Sequence, residues 1–462
     1  MSLVTSATTD ITAAAPSLAG TLNGRIATPA DSGWDHDRAA WNVAADQHPV
    51  LVGRPATATD VVTIVDFARR HGLRVAPQGT GHGAGALGDL ADTILLRTDD
   101  LRDIRVDPDR RQVRVGAGAT WGEVSRALTP FGLAALAGSS HDVGVTGYTL
   151  GGGYSWLARK HGLAANLVRA VELVTGDGSA HRIDAATDPD LFWAVRGSGG
   201  GTGIVTAIEF EVLPLVKIYA GLLFFPLDRA EAVLSQYAGW SSDLDEAATT
   251  CIRLLRLPPA PELPDFLRGR SFVAIDGAID LPPNDAERLL APLRALGPTM
   301  DTFATIPAAG LDQIHLDPPD PMPFVADGLV LNELTPPVVA ALLAAAGPAA
   351  DISLVNVELR QLGGAVGRRP ADGGCVAHLP GAFLTMGVGF AGTPELHARA
   401  AADAAALRAA LAPWAADRDY RNFRDANVPA AAFHSSADLA RLRRIRDEHD
   451  PDRIIRANHP LD

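Results

Sequence analysis

The chain has 462 residues, 47% hydrophobic and 20% charged, which is ordinary globular composition and enough length for two or three domains with a large buried core. Its net charge of −14, with no basic stripe, excludes a nucleic-acid partner, because phosphate binding needs clustered Lys and Arg. No run reaches about 18 apolar residues, so no membrane span is expected.

The two cysteines, Cys251 and Cys375, are far apart and lack metal-ligand spacing, so they read as free thiols in a reducing cytoplasm, with no metal. Residues 1–20 are rich in Ser, Thr and Ala and carry no positive charge. They lack the basic start and apolar centre of a signal peptide and are expected to form a flexible, loosely docked tail.

Residues 57–72 read as a helix, with Thr59 placed to cap it, Val61, Ile64, Val65 and Ala68 on one face, and Gly72 ending it. A short β-like run at 73–76 leads into PQGTGHGAG (77–85). Glycines there let backbone N–H groups crowd around a diphosphate, and His82 is placed to touch whatever the diphosphate belongs to. Any one glycine loop is weak evidence, since ordinary turns also use glycine.

Residues 111–115 alternate like a half-buried strand and 120–128 form a short helix. A second glycine-rich segment, GSSHDVGVTGYTLGGG, occupies 138–153, and a third, GSGGGTG, occupies 197–203 between strands at 168–175 and 208–212. The character changes near Pro214. From there to about residue 418, strands at 271–279, 352–360 and 383–390 alternate with Ala/Leu-rich helices at 286–295, 336–346 and 394–412. In the second strand Val355, Val357 and Leu359 share one face, while Asn356, Glu358 and Arg360 share the other. That suits an antiparallel sheet covered by helices on one side. The Pro-rich residues 307–323 read as a surface loop or mobile lid. The last forty residues are polar again.

The three loops, in this order, resemble those of FAD-linked oxidases of the vanillyl-alcohol oxidase superfamily. Within it the chain looks most like the berberine-bridge-enzyme-like group, which includes 6-hydroxynicotine oxidases and sugar or antibiotic oxidases. The likeness runs from about residue 22 to 462. It includes Trp41-Asn42, Arg54-Pro55, PQGTGHG, GGGYSWLARKHGL, LVTGDG, DPDLFWAVRGSGGGTGIVT, ELRQLGGAVGR and the tail YRNFRD…DPDRIIRANHP. It implies an α+β, two-lobed, PCMH-type fold: an FAD-binding domain over 21–215, a substrate domain over 216–418 built on a large antiparallel sheet, and a segment over 419–462 that returns to the FAD lobe.

The resemblance also implies site roles. His82 matches the histidine that bonds the flavin 8α-methyl group, which tethers the cofactor and raises its potential. Gln78, Gly79, Thr80, Gly81 and Gly83, with Ser139, Ser140, Gly144 and Gly147, are expected to cradle the diphosphate. Ile204 is the expected contact to the ribityl or adenine part, and Asn422 a further cofactor contact. Many relatives attach the flavin a second time through a cysteine in GxCPTVGxGG. Here that position is Ser140, so a single covalent link is expected.

Alcohol oxidation needs a base for the hydroxyl proton. The group's Tyr-x-Asn-Tyr reads Tyr420-Arg421-Asn422-Phe423 here, and Phe423 accepts no proton. Tyr420, His378 (on a segment expected to cross the substrate sheet) and Tyr154 are the remaining catalytic candidates. Glu358 shares a face with Arg360, so neither is expected to be free, and His141 edges the pocket. A neutral amine needs no strong base, so the missing tyrosine tilts the reading toward an amine, or toward an alcohol activated by His378.

The expected activity is oxidation of a small-molecule alcohol or amine by hydride transfer to flavin N5, with O2 reoxidising the flavin to give H2O2, in a soluble monomer or homodimer. A non-oxidative cyclisation or elimination with FAD as a structural element is the alternative. Substrate identity is not readable from the chain.

Overall fold

The computed structural model describes residues 3–261 and 265–462. The first lobe holds two sheets. One is four-stranded, in the order Arg25–Ala27, Leu51–Arg54, Thr93–Arg97, Arg74–Gln78, and its last three strands are parallel. The other is antiparallel and five-stranded, in the order Ile104–Asp107, Gln112–Gly116, Ile204–Glu211, Val168–Val174, Ala180–Ile183.

Helix Ala58–His71 packs Val61, Ile64, Val65 and Ala68 against the first sheet, with no exposed surface on any of them. Its cap is Thr57 rather than Thr59. The Thr57 side chain accepts from the Asp60 N–H and Asp60 reaches back, a reciprocal pair that Thr59, already one residue inside the helix, cannot make. Gly72 ends the helix in the left-handed conformation, at φ 66°.

Two expectations are corrected. Leu3–Ala19 is a helix, not a loose tail: Ile11, Ala15 and Leu18 are buried in the core shared with helix Ala58–His71. Three apolar residues at helical spacing suffice to dock it. Residues 307–323 are not a free lid. They contain a short 3-10 helix, Ala308–Gln313, then His315 at 1% exposure, and Met322 pairs with Asn42.

The second lobe is an antiparallel sheet in the order Met300–Asp301, Lys217–Pro226, Ser271–Ile279, Ala248–Arg256, Leu354–Gln361, Phe383–Phe390, Phe324–Leu331, with Ala304–Pro307 also on Lys217–Pro226. Helices Ala230–Ser241, Pro283–Arg294, Pro336–Ala346 and Pro394–Leu411 contribute buried side chains to one core with Val357, Leu359, Ile275 and Leu223. The layer read from the sequence is therefore present. Strands Lys217–Pro226 and Ala248–Arg256 carry no alternation because both faces are buried, one under helices and one under the first lobe.

The last residues return to the first lobe. The Val75 N–H donates to the Ile454 carbonyl at 2.8 Å and the Arg456 N–H to the Val75 carbonyl at 2.9 Å, so residues 454–456 extend the first sheet beside Arg74–Gln78.

Arg159, just past the second glycine segment, pins the lobes together. Its guanidinium donates to the carbonyls of Leu362, Asp245, Ala248 and Leu244, all on the second lobe. Arg159→Ala leaves these acceptors without donors in a buried place. It is expected to lower stability by about 3 kcal/mol or more, read as a fall in the urea midpoint; an unchanged midpoint would refute the pinning role.

Candidate active site

The first glycine loop leaves the end of a parallel strand, where ligands gather in such sheets. Its shape is held by neighbours: the Trp41 N–H donates to the Thr80 carbonyl at 2.9 Å. Gly81 sits at φ 87°, and a Cβ there would come 2.8 Å from the Ala40 side chain, so only glycine fits. Gly144 of the second loop lies against Thr80, which joins the first two loops. The side-chain positions of Gly147 and Gly200 open onto free space. Gly79 rests against Thr98 and the Ala117 carbonyl, and Gly83 against Asn458. Ile204 opens strand Ile204–Glu211, fully buried and paired with Val174.

Gln78 is 6% exposed, and neither its amide oxygen nor its amide nitrogen has a hydrogen-bond partner. Leaving such a group unsatisfied costs about 1–3 kcal/mol. A polar ligand in the adjoining loops removes that cost, so the residues fit a dinucleotide.

His82 is clamped. Trp41 stacks on its ring, with centroids 4.2 Å apart and planes 15° from parallel. Its Nδ1 lies 2.9 Å from Thr80 Oγ1, and its Nε2 lies 3.4 Å from Asp142 Oδ1. Asp142 also accepts from Ser140 Oγ at 2.5 Å and from Trp41 Nε1. Burial pushes the Asp142 carboxyl upward, but hydrogen bonds from His82, Ser140 and Trp41 outweigh it and hold the group below its ordinary value.

Ser139 Oγ donates to Asp317 at 2.8 Å and Ser140 Oγ to Asp142, so both hydroxyl protons are already placed and the backbone N–H groups of these residues are what a diphosphate would meet.

Facing the loops, the antiparallel sheet of the second lobe carries a buried ionic network. Arg360 Nε donates to Glu358 Oε1 at 2.8 Å, as their shared face implied. The other Glu358 oxygen meets His315 Nε2 at 3.0 Å, and His315 Nδ1 meets Asp276. Arg253 lies 3.2 Å from Asp276. With a carboxylate at each ring nitrogen, His315 donates from both and is an imidazolium. Burial and Arg253 act to lower its pKa, but Asp276 and Asp317 outweigh them and raise it. Glu358 is pushed up by burial and pulled further down by Arg360 and His315. Neither is available as a base.

Arg360 Nη2 reaches to within 3.4 Å of Ser139 Oγ, so the network touches the second glycine loop. Its guanidinium lies 5.1 Å over the Phe423 ring, where the related tyrosine motif would place a phenol.

The three expected catalytic residues do not gather into a base. The Tyr420 hydroxyl accepts the N–H groups of Gly153 and Tyr154 and the Asn422 amide, each at 3.1 Å, and burial pushes its pKa up to about 12. Tyr154 donates to the Gln361 carbonyl at 2.6 Å, and burial raises its pKa as well. Both are scaffold groups. His378 lies on no strand. It sits in the loop between Leu354–Gln361 and Phe383–Phe390, whose Cys375 and Val376 N–H groups bond the carbonyls of Trp193 and Arg196. Burial, then Arg418 and Arg369, lower its pKa, and it shares no partner with the His82 clamp or the Arg360 network. Asn422 ties the tail to the Tyr148 carbonyl and to Tyr420. His141 meets Gly122 through its backbone carbonyl. Cys251 and Cys375 are free and buried. Asp142, His315 and Asp276 were missed from sequence; for Asp142 the signal was its place two residues after Ser140.

Residues 49–184 match the family model described as an FAD binding domain. Over 293 residues the chain is 29% identical to (R)-6-hydroxynicotine oxidase of Paenarthrobacter nicotinovorans, spanning 60% of this chain and 60% of that protein's length. Among solved structures, wild-type BBE-like 1 of Physcomitrella patens has the same fold at TM-score 0.84 and 18% identity, over 97% of this chain and 98% of that one. Glucooligosaccharide oxidase of Acremonium strictum, a protein with a 6-S-cysteinyl, 8α-N1-histidyl FAD, matches at TM-score 0.80 and 20% identity, over 96% and 98%. Residues 49–184 thus match an FAD binding domain, and the chain has the α+β fold of the berberine-bridge-enzyme-like structures it is similar to. No helix among the described residues is long and apolar enough to cross a membrane.

The His315 contribution has a defined sign. A raised folded-state pKa gives stability that is full below the unfolded value, about 6.5, and is lost as pH rises through the folded value. His315→Gln, which removes the cation between two buried carboxylates and leaves each with a single arginine, is expected to cost about 3–5 kcal/mol at pH 6. The deficit should shrink toward pH 9, measured by urea denaturation at both pH values. A deficit that does not change with pH would contradict the imidazolium assignment.

Proposed function

We propose that this chain is an FAD-dependent oxidoreductase that removes hydride from a carbon bearing an amine or a hydroxyl in a small molecule, with O2 as the oxidant that regenerates the flavin and yields H2O2. The observation that carries the reading is the unpartnered, buried Gln78 amide beside the His82 clamp, at the junction of the glycine loops. The loops at 78–83, 138–147 and 197–203 would hold the cofactor, and His82 would attach it through a single link, since Ser140 forms no thioether. Bound FAD supplies an acceptor for the hydride.

The division of labour follows the lobes at 21–215 with 419–462, and at 216–418. The substrate sheet presents Arg360 toward the second loop, with Phe423 of the returning tail against its guanidinium. Arg360, fixed by Glu358, orients the substrate and excludes water from that face together with Trp156 and Phe423. Tyr420, Tyr154, Glu358 and His315 are all engaged, and His378 lies apart. An amine is therefore the substrate this site suits, because its own lone pair supplies the push that a base supplies to an alcohol. Two buried free thiols suit a reducing compartment such as the cytoplasm.

Anaerobic mixing of the purified yellow protein with a panel of small secondary amines and matched alcohols tests the reading. The 450 nm band is expected to bleach with an amine, faster as pH rises and the amine loses its proton. Product without bleaching would replace hydride transfer with the non-oxidative reading. Phe423→Tyr puts a phenol beside the Arg360 cation and is expected to raise turnover of alcohols by roughly a hundredfold, with the amine rate little changed. His82→Ala should release its flavin on acid precipitation, whereas the parent retains it.

A further inference from the structure

We propose that Asp142 is the positioning residue that prepares His82 for attachment to the flavin and takes up the proton the imidazole gives up. This rests on the reading of His82 as the tether. The GxCPTVGxGG pattern has threonine where this chain has Asp142, so the carboxylate arrives together with the loss of the cysteine at Ser140.

The clamp fixes which nitrogen reacts. A carboxylate cannot donate, so with Asp142 Oδ1 3.4 Å from Nε2 the ring proton sits on Nε2. The lone pair is then on Nδ1, where the Thr80 hydroxyl donates to it at 2.9 Å and rotates away when the bond forms. Trp41 stacks on the ring and donates its indole N–H to Asp142, so one side chain holds both partners. Ser140 donates to the Asp142 oxygen that faces His82 and fixes its direction. Burial opposes the charge on Asp142, and the three donors overcome it, so the group stands as a carboxylate that can only accept the Nε2 hydrogen bond.

The attachment balances. A bond forms between Nδ1 and the 8α carbon, and one 8α C–H bond breaks. That proton and the Nε2 proton leave, the second to Asp142. Two electrons enter the isoalloxazine and pass to dioxygen, which with the two protons becomes hydrogen peroxide. Without Asp142 the alkylated ring keeps its positive charge in a half-buried site.

The test is the rate at which the full-length protein, prepared without flavin, converts added FAD into acid-stable, in-gel fluorescent flavin. The parent is expected to do so. Asp142→Asn, nearly isosteric, should bind FAD with the same visible spectrum but attach it roughly a hundredfold more slowly. Asp142→Ala should be as slow and should be partly restored by added formate. Asp142→Glu should recover part of the rate. Attachment at the parental rate in the Asn variant would overturn the proposal. So would loss of non-covalent FAD binding in both the Asn and Ala variants, which would make the residue a folding element only. Failure of the underlying reading looks different: the parent itself would hold no acid-stable flavin, or His82→Ala would still hold it.

Discussion

The molecule depends on burying the Arg360 cation where two lobes meet. Its charge is matched by Glu358, which is held in turn by His315, which is held by Asp276. Each of these groups would be costly to bury alone, and the arrangement survives because every charge has an opposite partner within hydrogen-bond reach. The outer end of the chain of contacts is Ser139, in a glycine loop of the other lobe. A single network thus fixes the distance between the sheet that would meet a substrate and the loops that would hold a cofactor.

This arrangement also explains why the site carries no spare base. Glu358, His315 and Tyr154 face the interface, yet each is already committed to an ion pair or to a backbone group. Tyr420 illustrates the point. Its phenol oxygen accepts from two backbone N–H groups and an amide, which ties the turn at Gly153 to the tail, and burial holds its pKa up at about 12.

Much of this was legible in the sequence. The glycine loops, strands Ser271–Ile279 and Phe383–Phe390 and the pairing of Glu358 with Arg360 follow from local pattern. What was not legible is long-range. His315 stands among prolines and reads as loop. It is buried only because Asp276, 39 residues earlier, and Glu358, 43 later, converge on it. Asp142 and Trp41 are 101 residues apart and meet directly, the indole N–H on the carboxylate, beside His82. Strands covered on both faces lose the alternation that marks a strand, so Lys217–Pro226 and Ala248–Arg256 went unmarked. The docking of helix Leu3–Ala19 rests on three small contacts that bulk composition conceals.

The edge pairing of Val75 with Ile454 and Arg456 bears on how the protein comes to be made. Ile454 and Arg456 follow Val75 only after the whole of the second lobe, so this sheet edge cannot close until that lobe has been synthesised. Until then the strand that launches the histidine loop keeps one edge open to water, and closure waits on a long-range contact.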